Sequence, residues 1–203
     1  IPTETVYGLA ANAFDGEAVS KVFKAKGRPQ DNPLIVHISH ISQLDEIVSS
    51  VSEEALKLAE KFWPGPLSVI MPKGEKIPDE VSCGLDTVAV RMPSHPAARA
   101  VISAAGVPLA APSANLSGSP SPTTAQHVID DMWGRADAIL DGGSCAVGVE
   151  STVISVVGEK PRLLRPGGIS VEQLESVLGE IEIDPAVLAE LKPEQKAASP
   201  GMK

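Results

Sequence analysis

The stretch Phe23–Ile38, "FKAKGRPQDNPLIVHI", changes from one kind of backbone to another inside a few residues. Its opening closes a helix. Asp15 stands where an N-cap belongs, Val19, Val22 and Phe23 share one helical face, and Gly27 is the stop. Its end, "PLIVHI", alternates as a strand, with Leu34, Val36 and Ile38 on one face and Ile35 and His37 on the other. A helix running straight into an apolar strand is the unit of an α/β fold. The cations Lys24, Lys26 and Arg28 are favoured at a helix end by the macrodipole and the glycine cap alone. The loop beyond them is more than a cap needs: Pro29 and Pro33 stiffen its polar residues, and a strand end with a histidine beside such a loop is where α/β proteins hold ligands.

The same alternation of element types runs outward. Ser52 caps "EEALKLAEKFW", "WPGP" turns the chain into the strand "LSVIM", and "TVAVRM" is a further strand. "HPAARAVISAAG" reads as a helix with a glycine stop, "VPLAAP" as a buried strand and "TTAQHVIDDMW" as a helix. "ADAIL", "STVISVV" and "PRLLRP" read as strands, and Ser170 with Gln173 forms a capping box before "VEQLESVLG". Many strands with few long helices predict an open, twisted, mixed parallel and antiparallel sheet flanked by helices. The opening "IPTETVYG" is expected to start inside a strand, as a chain trimmed at its front. From residue 180 onward the composition is polar, proline-broken and rich in Ala, Lys and Glu, so 1–179 is expected to be the domain and 180–203 a linker.

Composition narrows the function. The net charge is −9, yet Lys21, Lys24, Lys26 and Arg28 fall in one window. An acidic chain is a poor non-specific binder of nucleic acid, and a local cationic pocket for a small anion fits better. Cys83 and Cys145 lie far apart in no metal or redox spacing, which favours free thiols and a cytoplasmic setting. No apolar run approaches the ~18–20 residues of a membrane span. There is no phosphate loop, no G-x-G-x-x-G, no H-E-x-x-H and no G-x-S-x-G, and the four histidines have no metal-ligand spacing.

The polar clusters all fall at strand ends. "LDTVAVRMP" sets Thr87 and Arg91 on one strand face with Ala89 between them, leaving a charged slot for an anion or a carboxylate, or else an edge arginine paired with an acid. "APSANLSGSPSP" runs from a buried strand into serines, an asparagine and prolines before a capped helix. A rigid loop of that kind can cradle phosphate oxygens. Glu150, Ser151 and Thr152 lead another strand, and Arg162 and Arg165 precede a glycine pair. None of these clusters contains a nucleophile–base pair or paired carboxylates, which points to aligning substrates against positive charge rather than to covalent catalysis.

Taken in order, "PTETVYGL", "KAKGRPQDNPLIVHI", "WPGPLSVI", "VAVRMPSHP", "APSANLSGSPSPT", "GVESTVI" and "LLRPGG" resemble the YrdC-like family of L-threonylcarbamoyladenylate synthases. The match runs to about Gly179, and the tail "SPGMK" is similar to the linker that leads to a second, C-terminal domain in longer members. The resemblance implies a large concave cationic cavity. It implies joining L-threonine, bicarbonate or CO2 and ATP into threonylcarbamoyl-AMP with release of pyrophosphate, the first step of the t6A modification of tRNA. By position, Thr5, His37, Arg91, Ala111 and Ser151 would surround threonine. Arg28, Asn32, Thr87, Ser113, Ser121 and Arg165 would hold ATP, with Lys26 and Asn115 completing the phosphate motifs and Lys26 and Arg28 in the catalytic role. Mg²⁺ is implied, carried mainly by the ATP phosphates, and tRNA is a partner only indirectly, through the downstream t6A transferase proteins. Two readings compete: the carbamoyl-adenylate chemistry of hydrogenase-maturation carbamoyltransferases on the same fold, and a non-catalytic RNA-binding module.

Overall fold

Helix α1 (Gly16–Lys26) begins and ends on the residues its sequence nominates: the Asp15 carboxylate accepts from the Ala18 N–H, and Gly27 closes it at φ 63°. Glycine reaches that left-handed turn at no steric cost, and Gly27 and Arg28 then donate back to the carbonyls of Lys24 and Phe23. The computed structural model describes residues 1–188. The strands are β1 (Ala11–Asn12), β2 (Ile35–His37), β3 (Leu67–Pro72), β4 (Thr87–Arg91), β5 (Leu109–Ala111), β6 (Thr152–Ser155), β7 (Arg162–Arg165) and β8 (Glu182–Ile183). Between them lie α2 (Leu44–Ile47), α3 (Glu53–Phe62), α4 (Asp79–Ser82), α5 (Pro96–Ala105), α6 (Ala125–Met132) and α7 (Val171–Leu178), with α8 (Pro185–Leu188) after β8.

All eight strands join one sheet in the order β1-β5-β2-β4-β3-β6-β7-β8. The pairs β2/β4, β3/β6 and β7/β8 are parallel and the other four antiparallel, so the expected mixed sheet is what forms. One face carries the main core. Leu34, Val36 and Ile38 from the β2 region, Val69 and Met71 from β3, and Val88 and Val90 from β4 meet Val22 and Phe23 of α1 and Leu58 of α3 there. Each such side chain contributes about 1.5–3 kcal/mol on burial. The opposite face is thinner. Among the described residues its apolar floor is a cluster of five, Ile35, Ile70, Ala89, Val153 and Leu164.

β7 departs from simple alternation. Val153 pairs with Arg165 while Ile154 pairs with Leu163, so β7 holds one residue more than β6 across that step. Such a bulge re-aims the side chain beyond it. Leu164 and Arg165 consequently both serve the thin face, where strict alternation would have sent Arg165 into the main core.

Three expectations change. Residues 1–7 form no strand; the segment is a buried irregular stretch, with a single bridge from Gly8 to Ser113. Its backbone is satisfied by its own side chains and by the serine-rich loop: the Val6 N–H donates to Thr3 Oγ1 at 3.2 Å, and the Ala114 N–H donates to the Tyr7 carbonyl at 2.8 Å. "ADAIL" is not a strand either; Ile139 packs with Tyr7, Val128 and Met132 in a small cluster under α6 instead. The stretch after residue 180 is not linker throughout, because Glu182–Ile183 pairs with β7 at the sheet edge. The remaining linker expectation, 189–203, lies outside the described residues.

The "RPGG" turn after β7 has a steric reason. A Cβ at Gly167 would overlap backbone atoms of Glu150, Ser151 and Thr152. Gly167→Ala is therefore expected to destabilise the protein by about 1–3 kcal/mol and to displace Ser151. Thermal unfolding checks it; an unchanged midpoint would show that the turn tolerates a side chain.

Candidate active site

The thin face of the sheet carries a cavity of about 530 Å³. Its floor comes from β2, β4 and β5. The register sets His37 beside Arg91 and Ile35 beside both Ala89 and Ala111. Its walls are the opening segment with Thr3, Thr5 and Gly8, the end of α1 with Lys26 and Arg28, and the serine-rich loop from Ser113 to Ser121. Glu150, Ser151 and Arg165 close it from the β6/β7 side.

Of the residues singled out in the sequence, Thr5, Lys26, Arg28, His37, Arg91, Ala111, Ser113, Asn115, Ser121, Ser151 and Arg165 line this one space. Asn32 and Thr87 do not. Asn32 is buried behind the wall and accepts from Arg28 Nη2 through its carbonyl at 3.1 Å. Thr87 shares the face of Arg91, but four residues of strand separate them by about 13 Å. The parallel register carries Thr87 abreast of Pro33, and of that row only Pro33 reaches the cavity.

Lys26 is 2% exposed and its ammonium is committed to the protein: Nζ donates to the carbonyls of Ser113 at 2.5 Å and Asn115 at 2.6 Å, with Asn115 Oδ1 at 3.3 Å. An ammonium has three donors, so Lys26 ties the serine-rich loop to the end of α1. Burial, then the neighbouring Arg28, push its pKa down to about 8. The loop is pinned twice more, by Ser117 N–H to the Lys26 carbonyl at 2.9 Å and Leu116 N–H to Asp131 Oδ2 at 3.0 Å. Arg28 differs. Nη2 takes the Asn32 carbonyl, while the buried Nε has no hydrogen-bond partner. A buried donor left unpaired costs about 1–3 kcal/mol, which is tolerable where a ligand supplies the acceptor.

Arg91 combines parts of the two readings its strand pattern allowed: it lines the cavity and is paired with an acid, but it is buried on an inner strand and not at an exposed edge. At 3% exposure it donates from Nε to the Gly65 carbonyl at 3.2 Å and from Nη1 to Thr5 Oγ1 at 2.8 Å. Its Nη2 lies 2.7 Å from Glu4 Oε1 in a buried ion pair, and the Ser94 N–H holds the other Glu4 oxygen at 3.1 Å. Nη2 meets Glu4 as an ion pair only, and neither it nor Glu4 Oε1 makes a hydrogen bond within the described residues. Arg165 is held by the Ser151 carbonyl from both Nε (3.1 Å) and Nη2 (2.9 Å), and Ser151 Oγ meets Ser68 Oγ at 2.8 Å. Burial pushes Arg165 down to about 10, with Glu150 acting the other way.

His37 is buried and electrically quiet. Nδ1 lies 3.1 Å from the Ile35 carbonyl, and burial, reinforced by Arg91, lowers its pKa to about 3. The unfolded chain therefore binds a proton below the ordinary 6.5 that the native state refuses down to about 3, so stability falls as pH drops through that window. At pH 5 the loss from this group is about 2 kcal/mol. Replacing His37 with Asn should shrink the drop in thermal midpoint between pH 7.5 and pH 5 by ~4–8 °C. An equal drop in both proteins would mean the imidazole is not held neutral.

Two carboxylates of this region received no role from the sequence, Glu4 and Glu150. Glu4 sat in a segment expected to be a strand, and Glu150 looked like a charged flank. Nothing in their spacing marked one as the partner of Arg91 and the other as a wall of the cavity.

A family model described as telomere recombination, covering Sua5, YciO and YrdC proteins, matches residues 1–167. The chain belongs to the Sua5–YciO–YrdC family. Among members of the Sua5–YciO–YrdC family, it is 54% identical over 202 residues to a threonylcarbamoyl-AMP synthase of Pyrococcus abyssi, covering 100% of this chain and 59% of that one. It is 54% identical over 203 residues to the Bacillus subtilis enzyme of the same name, covering 100% and 58%. The chain thus spans about three fifths of the length of these relatives. A crystal structure of P. abyssi Sua5 complexed with L-threonine superposes with a TM-score of 0.96 at 54% identity, covering 100% of this chain and 59% of that one. The mixed sheet is therefore the Sua5–YciO–YrdC sheet.

Proposed function

We propose that this chain is the catalytic part of a threonylcarbamoyl-AMP synthase, making threonylcarbamoyl-AMP and pyrophosphate from L-threonine, bicarbonate or CO2, and ATP. The observation that carries the proposal is the division of the cavity into two unlike ends. At one, Arg28 with its unpaired Nε, Arg165 and the hydroxyl-rich loop suit a polyphosphate. At the other, His37, Thr5 and Arg91, whose buried Nη2 has no hydrogen-bond partner, suit a small amino acid and its carboxylate. The kinship to synthases and to a threonine-bound structure supports the same assignment.

The reaction asks for alignment more than for a nucleophile. The threonine amine would attack CO2 with loss of a proton, or bicarbonate with loss of water, to give a carbamate, and a carbamate oxygen would then displace pyrophosphate at the α-phosphorus. Fixed cations along the phosphate wall would offset charge at the leaving group without rearranging. Neutral His37 suits this chemistry by hydrogen bonding to a hydroxyl or amine without adding charge. Mg²⁺ fits as an ion carried by ATP: among the described residues no three His, Cys, Asp or Glu side chains gather into a metal cage, and Mg²⁺ commonly binds through phosphates, waters and one or two carboxylates. When bound, it supplies further charge neutralisation on the phosphates. Among the described residues no helix is long and apolar enough to cross a membrane, and a cytoplasmic setting follows from the proposed role in tRNA modification, where tRNA meets the product through later transferase proteins.

Pyrophosphate release measured with threonine and labelled bicarbonate each present or omitted tests the proposal. Release that needs both, with label in an AMP adduct by mass, is expected. Release independent of threonine, with carbamoyl phosphate replacing bicarbonate, would move the chain to carbamoyl-adenylate chemistry.

A further inference from the structure

Glu150 is out of place on a wall built for phosphate. It is the only carboxylate among the described residues that line the cavity, and it shares its side with Arg165 and Ser121. Its Oε1 accepts the Ser121 hydroxyl at 2.6 Å, and no hydrogen bond to Oε2 is formed within the described residues. Glu150 is a nearby countercharge for Arg165, but it is not what holds that guanidinium in place, since the Ser151 carbonyl grips it from two nitrogens. Set against a triphosphate, a lone carboxylate repels what Arg28 and Arg165 attract, and it cancels part of their charge. The arrangement becomes favourable if a divalent cation stands between the carboxylate and the phosphate oxygens. Mg²⁺ coordination by one carboxylate, phosphate oxygens and several waters has this form. The Ser121 bond would then fix the carboxylate's rotamer and leave the second oxygen for the ion or for one of its waters.

Resting on the ATP assignment above, we infer that Glu150 is the protein's carboxylate contact to the magnesium of bound Mg–ATP, and so makes the site select the metal complex over free nucleotide. Glu150→Gln keeps the shape and the acceptor for Ser121 while removing the charge. Calorimetric titration of ATP into the purified protein, once in excess Mg²⁺ and once in EDTA, reads the effect without turnover. In Mg²⁺ the variant should bind ATP on the order of tenfold more weakly than the wild type. In EDTA it should bind on the order of tenfold more tightly, because a like charge has gone. The opposite signs are the signature.

A shift by the same factor in both buffers would reduce Glu150 to a structural latch on Ser121, and no shift in either would remove it from the phosphate wall; both overturn the inference. Failure of the wild type to bind ATP in either buffer would instead overturn the ATP assignment, and the inference with it. Should the Gln variant fail to fold, Glu150→Asp serves. Keeping the charge, it should retain a preference for ATP in Mg²⁺ over EDTA, and loss of that preference would count against the contact.

Discussion

Replacing Arg28 with Ala should lower pyrophosphate release by about 10²–10³-fold, the usual cost of losing one preorganised donor at developing charge, while leaving the protein folded. The two halves of this expectation come from different atoms. The helix is ended by the backbone: Gly27 in its left-handed turn and the Arg28 N–H on the Phe23 carbonyl, all of which alanine retains. The side chain adds one bond, to the Asn32 carbonyl, and one buried Nε without a partner. Its removal therefore changes stability by no more than about 1 kcal/mol, because the lost bond and the relieved donor nearly offset each other. Activity and thermal midpoint measured together decide the matter. Full turnover in the variant, or loss of fold without any specific loss of ATP binding, would return Arg28 to the role of a helix terminus.

Lys26→Ala should fail in another way. The ammonium bridges α1 to the Ser113 and Asn115 carbonyls, so its loss leaves two inward-facing acceptors unsatisfied at about 1–3 kcal/mol and loosens the loop that carries the hydroxyls. Activity should fall about 100-fold, since misplacing a positioning element by an ångström costs that much. The distinguishing measurement is amide exchange. Residues 113–119 should lose protection in Lys26→Ala and keep it in Arg28→Ala. Equal protection in both would mean that the loop stands without the lysine, and that Lys26 acts on the ligand alone.

The strand alternation in "PLIVHI" was enough to separate the core face from the cavity face, because both sides of that strand are buried for opposite reasons: Val36 against helices and His37 against ligand space. The caps at Asp15, Ser52 and Ser170 were legible for a similar reason, since each is a local hydrogen bond between near neighbours. What could not be read depends on distant partners. Arg165 reaches the cavity through a bulge defined only by its pairing with β6. Arg91 owes its burial to Glu4, far away in sequence, and the opening segment is not a strand because the serine-rich loop satisfies its backbone. "ADAIL" has the composition of a strand but no strand partner among the described residues, and Ile139 packs under α6 instead.

The parallel pairing of β3 with β6, Leu67 beside Thr152, joins stretches of chain more than eighty residues apart, and everything from Glu150 to Arg165 reaches the cavity through that seam. Contacts of such sequence separation form late in folding, after their loop entropy has been overcome. The wall that carries Glu150 and Arg165 therefore cannot form before both stretches of chain exist, and a chain still emerging from the ribosome presents the α1 end of the site without that counterpart. Ligand binding stabilises only the state that can bind, so ATP would favour the completed sheet over every partly assembled one, and thermal protection by nucleotide would report on whether the far half of the chain has docked.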